Sequence, residues 1–311
     1  MNEHIDPSSS SNEQAAAADG QANTVRPDAT STKTPMFQAM HAARYERQAR
    51  IKDIDKSSQR KLICYVAGVA APINIDDTLG FVDLLHHVPQ GSKIDLLLHT
   101  PGGNADAAEK LISMIAETAG AGEFRVIVPD FAKSAGTLMA LGADKIIMSD
   151  SSELGPIDPQ VTLRDERGNM IPHSVLSYLD AYYTLSESVR NKPEDVALRI
   201  MLDKLDPTTV KTFEAARERV IAIAERHLQR AGVVKYTEIA RTLMNIGEFK
   251  SHGEMIGCKK AISMELKAEY RDPKDPEWQQ YWRLYCLQRL AVKPRQKLFE
   301  SDPVFLPFEL D

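Results

Sequence analysis

Four short apolar runs, Lys61–Ala67, Ile94–His99, Arg125–Val128 and Lys145–Met148, alternate with stretches of helical spacing, and this alternation constrains the fold more than any other feature of the chain. A strand that is apolar along its whole length is buried on both faces, so repeated strand and helix units imply a parallel sheet covered on each side. Between the first two strands, Asp76 is the expected N-cap of a helix that ends near Pro89 and Gly91. After the second, Asn104 is the expected cap of a helix with Ala108, Leu111, Ile112, Ile115 and Ala119 on one face. Ahead of the first strand, Phe37 to Lys56 reads as a charged packing or assembly helix with a weak stripe of Met40, Ala43 and Tyr45.

Beyond about residue 160 the pattern becomes almost continuously helical, over Ser174 to Val189, Glu194 to Leu205, Thr208 to Ala231, Thr237 to Met244 and Pro276 to Leu290. The tail from Pro294 mixes basic residues with Phe299, Phe305, Leu306 and Phe308 and is expected to dock onto a neighbouring subunit. The organisation expected is a disordered segment over 1–35, a main domain over 36–267, and a C-terminal helix and tail over 268–311. Residues 1 to about 35 are rich in Ser, Ala, Asn, Gln and Thr and cannot offset their ordering entropy.

Composition excludes several classes. A formal net charge of −6 gives no reason to expect a nucleic-acid partner. No run approaches the roughly 20 apolar residues that span a bilayer, and no basic start with an apolar core reads as a secretory signal. Membrane association is not indicated, and a cytoplasmic location is expected. The 3 cysteines, Cys64, Cys258 and Cys286, lack metal-ligand spacing and read as free thiols, so neither metal nor cofactor is expected.

Chemistry concentrates at two successive strand ends, the place where sites in parallel sheets gather. Pro101-Gly-Gly103 follows the second strand, and its Cβ-free residues can turn backbone N–H groups toward a bound carbonyl. Lys133-Ser-Ala-Gly-Thr137 places Ser134 where a loop becomes a helix, beside the Ala135 N–H. Together they supply a nucleophile and an oxyanion hole, the two parts acyl transfer needs first.

These segments, with Leu97-Leu-His-Thr-Pro-Gly-Gly103, Val128-Pro, Ala140-Leu-Gly-Ala-Asp144 and Leu154-Gly-Pro-Ile-Asp-Pro-Gln160, resemble the serine dehydrogenase proteinase family. That family belongs to the ClpP-class serine peptidases, which include signal peptide peptidase A. The resemblance runs most clearly from Ile94 to Val161 and more weakly from Lys61 to about Lys267. It implies an α/β ClpP/crotonase-like fold with a helical C-terminal half, an oligomer, Ser134 as nucleophile, and an oxyanion hole from the Gly102, Gly103 and Ala135 backbone. No Gly-x-Gly-x-x-Gly fingerprint supports a dinucleotide, whatever the family's name suggests.

The general base is the open part. Where ClpP-like enzymes carry a His, this chain has Gly155-Pro-Ile-Asp-Pro-Gln160, and Asp158 there reads as a turn former. Signal peptide peptidase relatives use a Lys from a later helix, yet Ser174 to Val189 contains none; Lys192 and Lys204 lie beyond it, and Lys204 is the base candidate. Lys133 is expected to point away from Ser134. His99 is expected to order its loop, and His173 to cap a helix. His86, His87 and His227 read as solvated, and the role of His252 in Phe249-Lys-Ser-His-Gly253 is open. The leading expectation is a peptidase acting on peptides or unfolded segments. A catalytically silent scaffold and a crotonase-type acyl-thioester enzyme are the alternatives.

Overall fold

The computed structural model describes residues 34–164, 168–245 and 254–310 and divides the chain into two units, Met1–His41 and Ala42–Asp311. The described part of the first is helix α1 (Pro35–Met40), capped by the Thr34 hydroxyl, which accepts from the Phe37 N–H at 3.4 Å. The second unit opens with α2 (Ala42–Ser58), whose buried residues are Arg47, Ile51 and Ile54. The packing stripe is therefore one turn and more beyond the Tyr45 region where it was expected.

The expected strand and helix units follow, with the short strand β4 added between β3 and α5: β1 (Lys61–Ala67), α3 (Asp77–His86), β2 (Ile94–His99), α4 (Ala105–Ala119), β3 (Phe124–Val128), β4 (Phe131–Ala132), α5 (Ala135–Leu141) and β5 (Lys145–Met148). Asn104 caps α4 as expected, accepting from Ala107 N–H at 2.8 Å. Asp76 holds the N-cap position of α3 but makes no capping bond with its side chain. Its neighbour Asp77 is the working carboxylate, buried and accepting from the Asn74 N–H at 3.0 Å.

The second half is less purely helical than its apolar spacing implies. After β6 (Glu153–Leu154), a hairpin of β7 (Gln160–Arg164) and β8 (Met170–Ser174) precedes α6 (Val175–Asn191). Then come α7 (Val196–Asp203), α8 (Pro207–Arg230), α9 (Tyr236–Leu243), β9 (Ile256–Gly257), α10 (Cys258–Ser263), β10 (Ala268–Tyr270), α11 (Pro276–Ala291), β11 (Gln296–Glu300) and β12 (Phe305–Glu309). The hairpin and α6 share a satellite core of Val175, Leu179, Val210 and Phe213 with α8.

One seven-stranded sheet in the order β10-β5-β3-β2-β1-β11-β12 organises these described residues. Its β10 to β1 strands run parallel, and β11 and β12 add an antiparallel hairpin at β1. The tail thus finds its partner within the chain, because Leu298 and Phe299 bury on opposite faces of the sheet. Alternate residues divide the core. Ile63, Tyr65, Leu96, Leu98, Val126 and Val128 face α3, α4 and α5, whereas Cys64, Val66, Leu97 and Ile127 face α2 and α11. On the second face, buried Asp95 accepts from Arg125 at 2.9 and 2.6 Å, from Tyr281 Oη at 2.8 Å and from Arg60. Arg47 and Glu300, 3.0 Å apart, tie α2 to β11. No described helix is long and apolar enough to cross a membrane.

Candidate active site

The carboxyl ends of β2 and β3 lie side by side, and the turns that leave them meet. Backbone bonds join the two, from Thr100 N–H to Phe131 O at 3.1 Å and from Lys133 N–H to Thr100 O at 3.1 Å. Gly136 admits the contact, since a Cβ there would lie 2.5 Å from the Thr100 methyl.

Gly102 and Gly103 have φ of +99° and +145°, in the region that only glycine enters freely. They also permit close approach. A Cβ on Gly102 would sit 2.6 Å from Lys133 O and 2.9 Å from Ser134 Cβ, and one on Gly103 would sit 2.4 Å from Ile73 N and O. The two glycines differ in what their N–H groups do. That of Gly102 donates within the turn to Thr100 Oγ1 at 3.2 Å. Those of Gly103 and Ala135 have no hydrogen-bond partner among the described residues. Ile73 brackets the turn, donating to Gly102 O at 2.7 Å and accepting from Asn104 N–H at 2.9 Å.

Ser134 takes φ 51° and ψ −113° and makes no capping bond with its side chain. Non-glycine residues rarely enter this region, and such a conformation costs on the order of 1–3 kcal/mol. The other two described non-glycine residues with positive φ, Gln59 and Glu265, lie in exposed turns after helices, whereas Ser134 is buried against the Gly turn. An N-cap serine would use its hydroxyl on the helix. This one does not, and the sharp strand-to-helix turn instead presents the side chain as nucleophilic serines are presented in hydrolases.

His99 stands on β2 just ahead of this turn, on the sheet face opposite the α5 core. Its ring lies 4.0 Å from that of Phe131, and its Nδ1 is 3.1 Å from Tyr285 Oη, which donates to Asp130 at 2.7 Å. Since that hydroxyl proton is committed to Asp130, Nδ1 carries the proton shared with Tyr285. Burial lowers the His99 pKa to about 3, with Arg289 adding to the effect. The ring is a neutral brace beneath the Asp130–Ser134 turn, so it supports the neighbouring turn and not its own Pro101–Gly103 loop, where the sequence placed its role.

The other candidates scatter. Lys133 points away from Ser134, its ammonium 3.2 Å from the Glu153 carboxylate and 3.4 Å from each of Leu154 O and Glu254 O. Asp158 accepts from Leu176 N–H at 3.3 Å and Gln160 Nε2 at 2.9 Å, which ties its segment to the start of α6, a longer-range role than the turn former expected. His173 lies on β8 opposite Val161, and the cap of α6 is Ser174 instead. Lys204 is exposed at the C-cap of α7, without the burial through which a Lys becomes a base. His86 and His87 are exposed, whereas His227 is buried, 2.9 Å from where a Gly142 Cβ would be, with a pKa lowered to about 4 by burial. Its helix face looks solvated because Arg226 and Arg230 flank it, but α8 turns His227 inward with Ile223, Ala224 and Leu228. His252 lies outside the described residues. Among those described, no side chain hydrogen-bonds Ser134 Oγ, and no cluster of three His, Cys, Asp or Glu could hold a metal.

With this geometry in view, the known proteins it resembles can be named. Residues 36–180 match the family of ClpP-like SDH-type serine proteinases. Two uncharacterised proteins of Methanocaldococcus jannaschii are 45% identical over 89 residues and 35% identical over 120 residues, spans that cover 29% and 39% of this chain. Those spans cover only 30% and 37% of the relatives' own lengths. Among solved structures, a variant of the 1510-N membrane-bound stomatin-specific protease is 18% identical with a TM-score of 0.40, covering 70% of this chain and 82% of that one. A second variant, in complex with a substrate peptide, is 16% identical with a TM-score of 0.38 over 73% and 99%. The central sheet with helices on both faces is a mixed α/β fold consistent with the ClpP-like family that residues 36–180 match, and that match supports peptidase chemistry.

Tyr285, Asp130 and Ile73 escaped sequence reasoning because each acts through a contact made across the fold. Asp77 escaped through the adjacent Asp76, which occupies the position that capping rules favour.

Proposed function

We propose that the chain is a serine peptidase that cleaves peptides or unfolded protein segments through an acyl-enzyme. Ser134 Oγ attacks the scissile carbonyl carbon and forms the ester as the amine leaves; water then hydrolyses the ester and releases the acid. The Gly103 and Ala135 N–H groups receive the oxyanion, while Gly102 lets the turn pass against Ser134. The observation that carries this reading is the buried positive-φ conformation of Ser134, whose hydroxyl leaves its helix uncapped beside two unpaired N–H groups. Asp158, Lys133 and His99 are each engaged elsewhere, so the base is sought by substituting Lys204, His173 and His252 singly. The variant that loses turnover while keeping its fold identifies it. In keeping with the expectations above, the enzyme is proposed to act in the cytoplasm as a homo-oligomer.

The test is digestion of an unfolded protein with mass-spectrometric detection of new termini. Fragments with the wild-type chain and none with Ser134→Ala support the proposal. A folded wild-type chain that yields none would favour the silent scaffold, a reading supported by the lack of a base bonded to Ser134 among the described residues.

A further inference from the structure

A series of short backbone contacts leads from the Gly turn to the C-terminal tail. Ile73 brackets Gly102 to Asn104, and it belongs to a loop over 68–76 that joins β1 to α3. That loop is gripped at both ends by residues 294–297. Gly68 N–H donates to Gln296 O at 2.8 Å, and Ala70 N–H donates to Pro294 O at 2.8 Å. The fit at Gly68 leaves no room for a side chain, since a Cβ would lie 2.2 Å from Lys293 O and 2.3 Å from Pro294 O. At the far end, Lys297 Nζ lies 2.6 Å from Asp77 Oδ1. The other oxygen of Asp77 accepts from Tyr65 Oη at 2.9 Å and from Asn74 N–H at 3.0 Å, directly after Ile73.

Lys297 and Asp77 have side chains only 1% and 3% exposed. A buried ion pair of this kind is a weak source of net stability compared with well-packed apolar residues, so its presence calls for another account. What the pair does provide is direction. The Asp77 carboxylate can hold the Asn74 N–H in one place only while the ammonium holds the carboxylate.

We infer that the tail around Lys297 sets the position of the Gly103 oxyanion donor, with Lys297 as a positioning residue acting through Asp77, Asn74 and Ile73. The inference rests on the oxyanion role proposed above for Gly103. It gives the tail, which lies outside the matched residues 36–180, a direct part in the site. Displacing the donor by about 1 Å would be felt strongly, because misplacements of that size cost on the order of 100-fold in rate.

The test uses the full chain and two readouts. Hydrogen exchange reports protection of the Ile73 and Asn104 amides relative to amides of β3, and labelling of Ser134 by a fluorophosphonate reports the site itself. Lys297→Met is expected to lower protection at Ile73 and Asn104, leave β3 unchanged, and slow labelling by about tenfold or more. Asp77→Asn combined with Lys297→Met keeps an oxygen for Asn74 and Tyr65 without the buried charge and is expected to restore both readouts. Ala70→Pro deletes one tail bond at an exposed position, so it gives a folded variant if Lys297→Met does not fold; it is expected to loosen Ile73 and slow labelling to a smaller degree. Unchanged protection at Ile73 and Asn104 in a folded variant overturns the inference. A wild-type chain that never labels refutes the peptidase reading instead, and the exchange result still decides this one.

Discussion

The two turns that meet at the site are built on opposite principles. The Pro101–Asn104 turn reaches its positive φ angles with glycine, at no steric cost, and is braced by Ile73 on one side of the sheet. The Asp130–Ser134 turn reaches its positive φ with serine and is braced from the other face by His99, Phe131 and Tyr285. A turn that needs only backbone can relax to glycine, whereas one that must present a hydroxyl keeps the strain and needs support. Under the proposed function, the strained residue at this site is the one whose side chain acts.

The largest expected effect breaks the first turn. Gly102→Ala would force a Cβ to within 2.6 Å of Lys133 O at φ +99°, pushing the turn and its Gly103 donor away from Ser134, and it should slow Ser134 labelling by about 100-fold, the cost of a misplacement on the order of 1 Å. Labelling kinetics with a fluorophosphonate check this.

Acid acts on the second turn and on α8. The pKa of His99 falls from 6.5 to about 3 on folding and that of His227 from 6.5 to about 4, so between these limits the unfolded chain binds more protons. The stability these residues contribute is complete above pH 6.5 and is lost as pH falls toward 3 to 4. At a pH near 5 the loss should be about 2 kcal/mol for each His. Urea midpoints at neutral and acid pH, compared with those of His99→Asn and His227→Asn, should show a shallower decline in each variant.

A smaller effect follows from loosening the brace. Tyr285→Phe removes the donor to Asp130 and the partner of His99 Nδ1, and should lower stability by about 1–2 kcal/mol in urea titration. The smallest change sharpens the comparison from the other side. Ser134→Gly relieves the strain but adds chain entropy to the unfolded state, so it should raise stability by about 1 kcal/mol while abolishing labelling. A fall in melting temperature would show that the Ser134 turn holds less strain than the added chain entropy costs.

Much of this was legible in the chain itself. The four parallel strands, the α4 face and both turns of the site follow from fully apolar runs punctuated by Gly and Pro. The strands β11 and β12 were not, because basic and apolar residues alternate there as they would in an exposed tail, and only burial of Lys297 on Asp77 shows otherwise. The hairpin β7–β8 was hidden by its weak apolar alternation ahead of α6. His227 misled because charge on neighbouring positions concealed the inward face of α8. The conformation of Ser134 could not be read at all, since serine ordinarily reports a cap in this position and the φ value arises from how two strand ends are joined.

The most direct test of the account is to treat the folded chain with a fluorophosphonate probe and map the adduct by peptide mass spectrometry. A single adduct on Ser134, absent from Ser134→Ala and strongly slowed in Gly102→Ala, is the predicted result. No adduct on the folded wild-type chain, or an adduct on another residue that persists in Ser134→Ala, would contradict it.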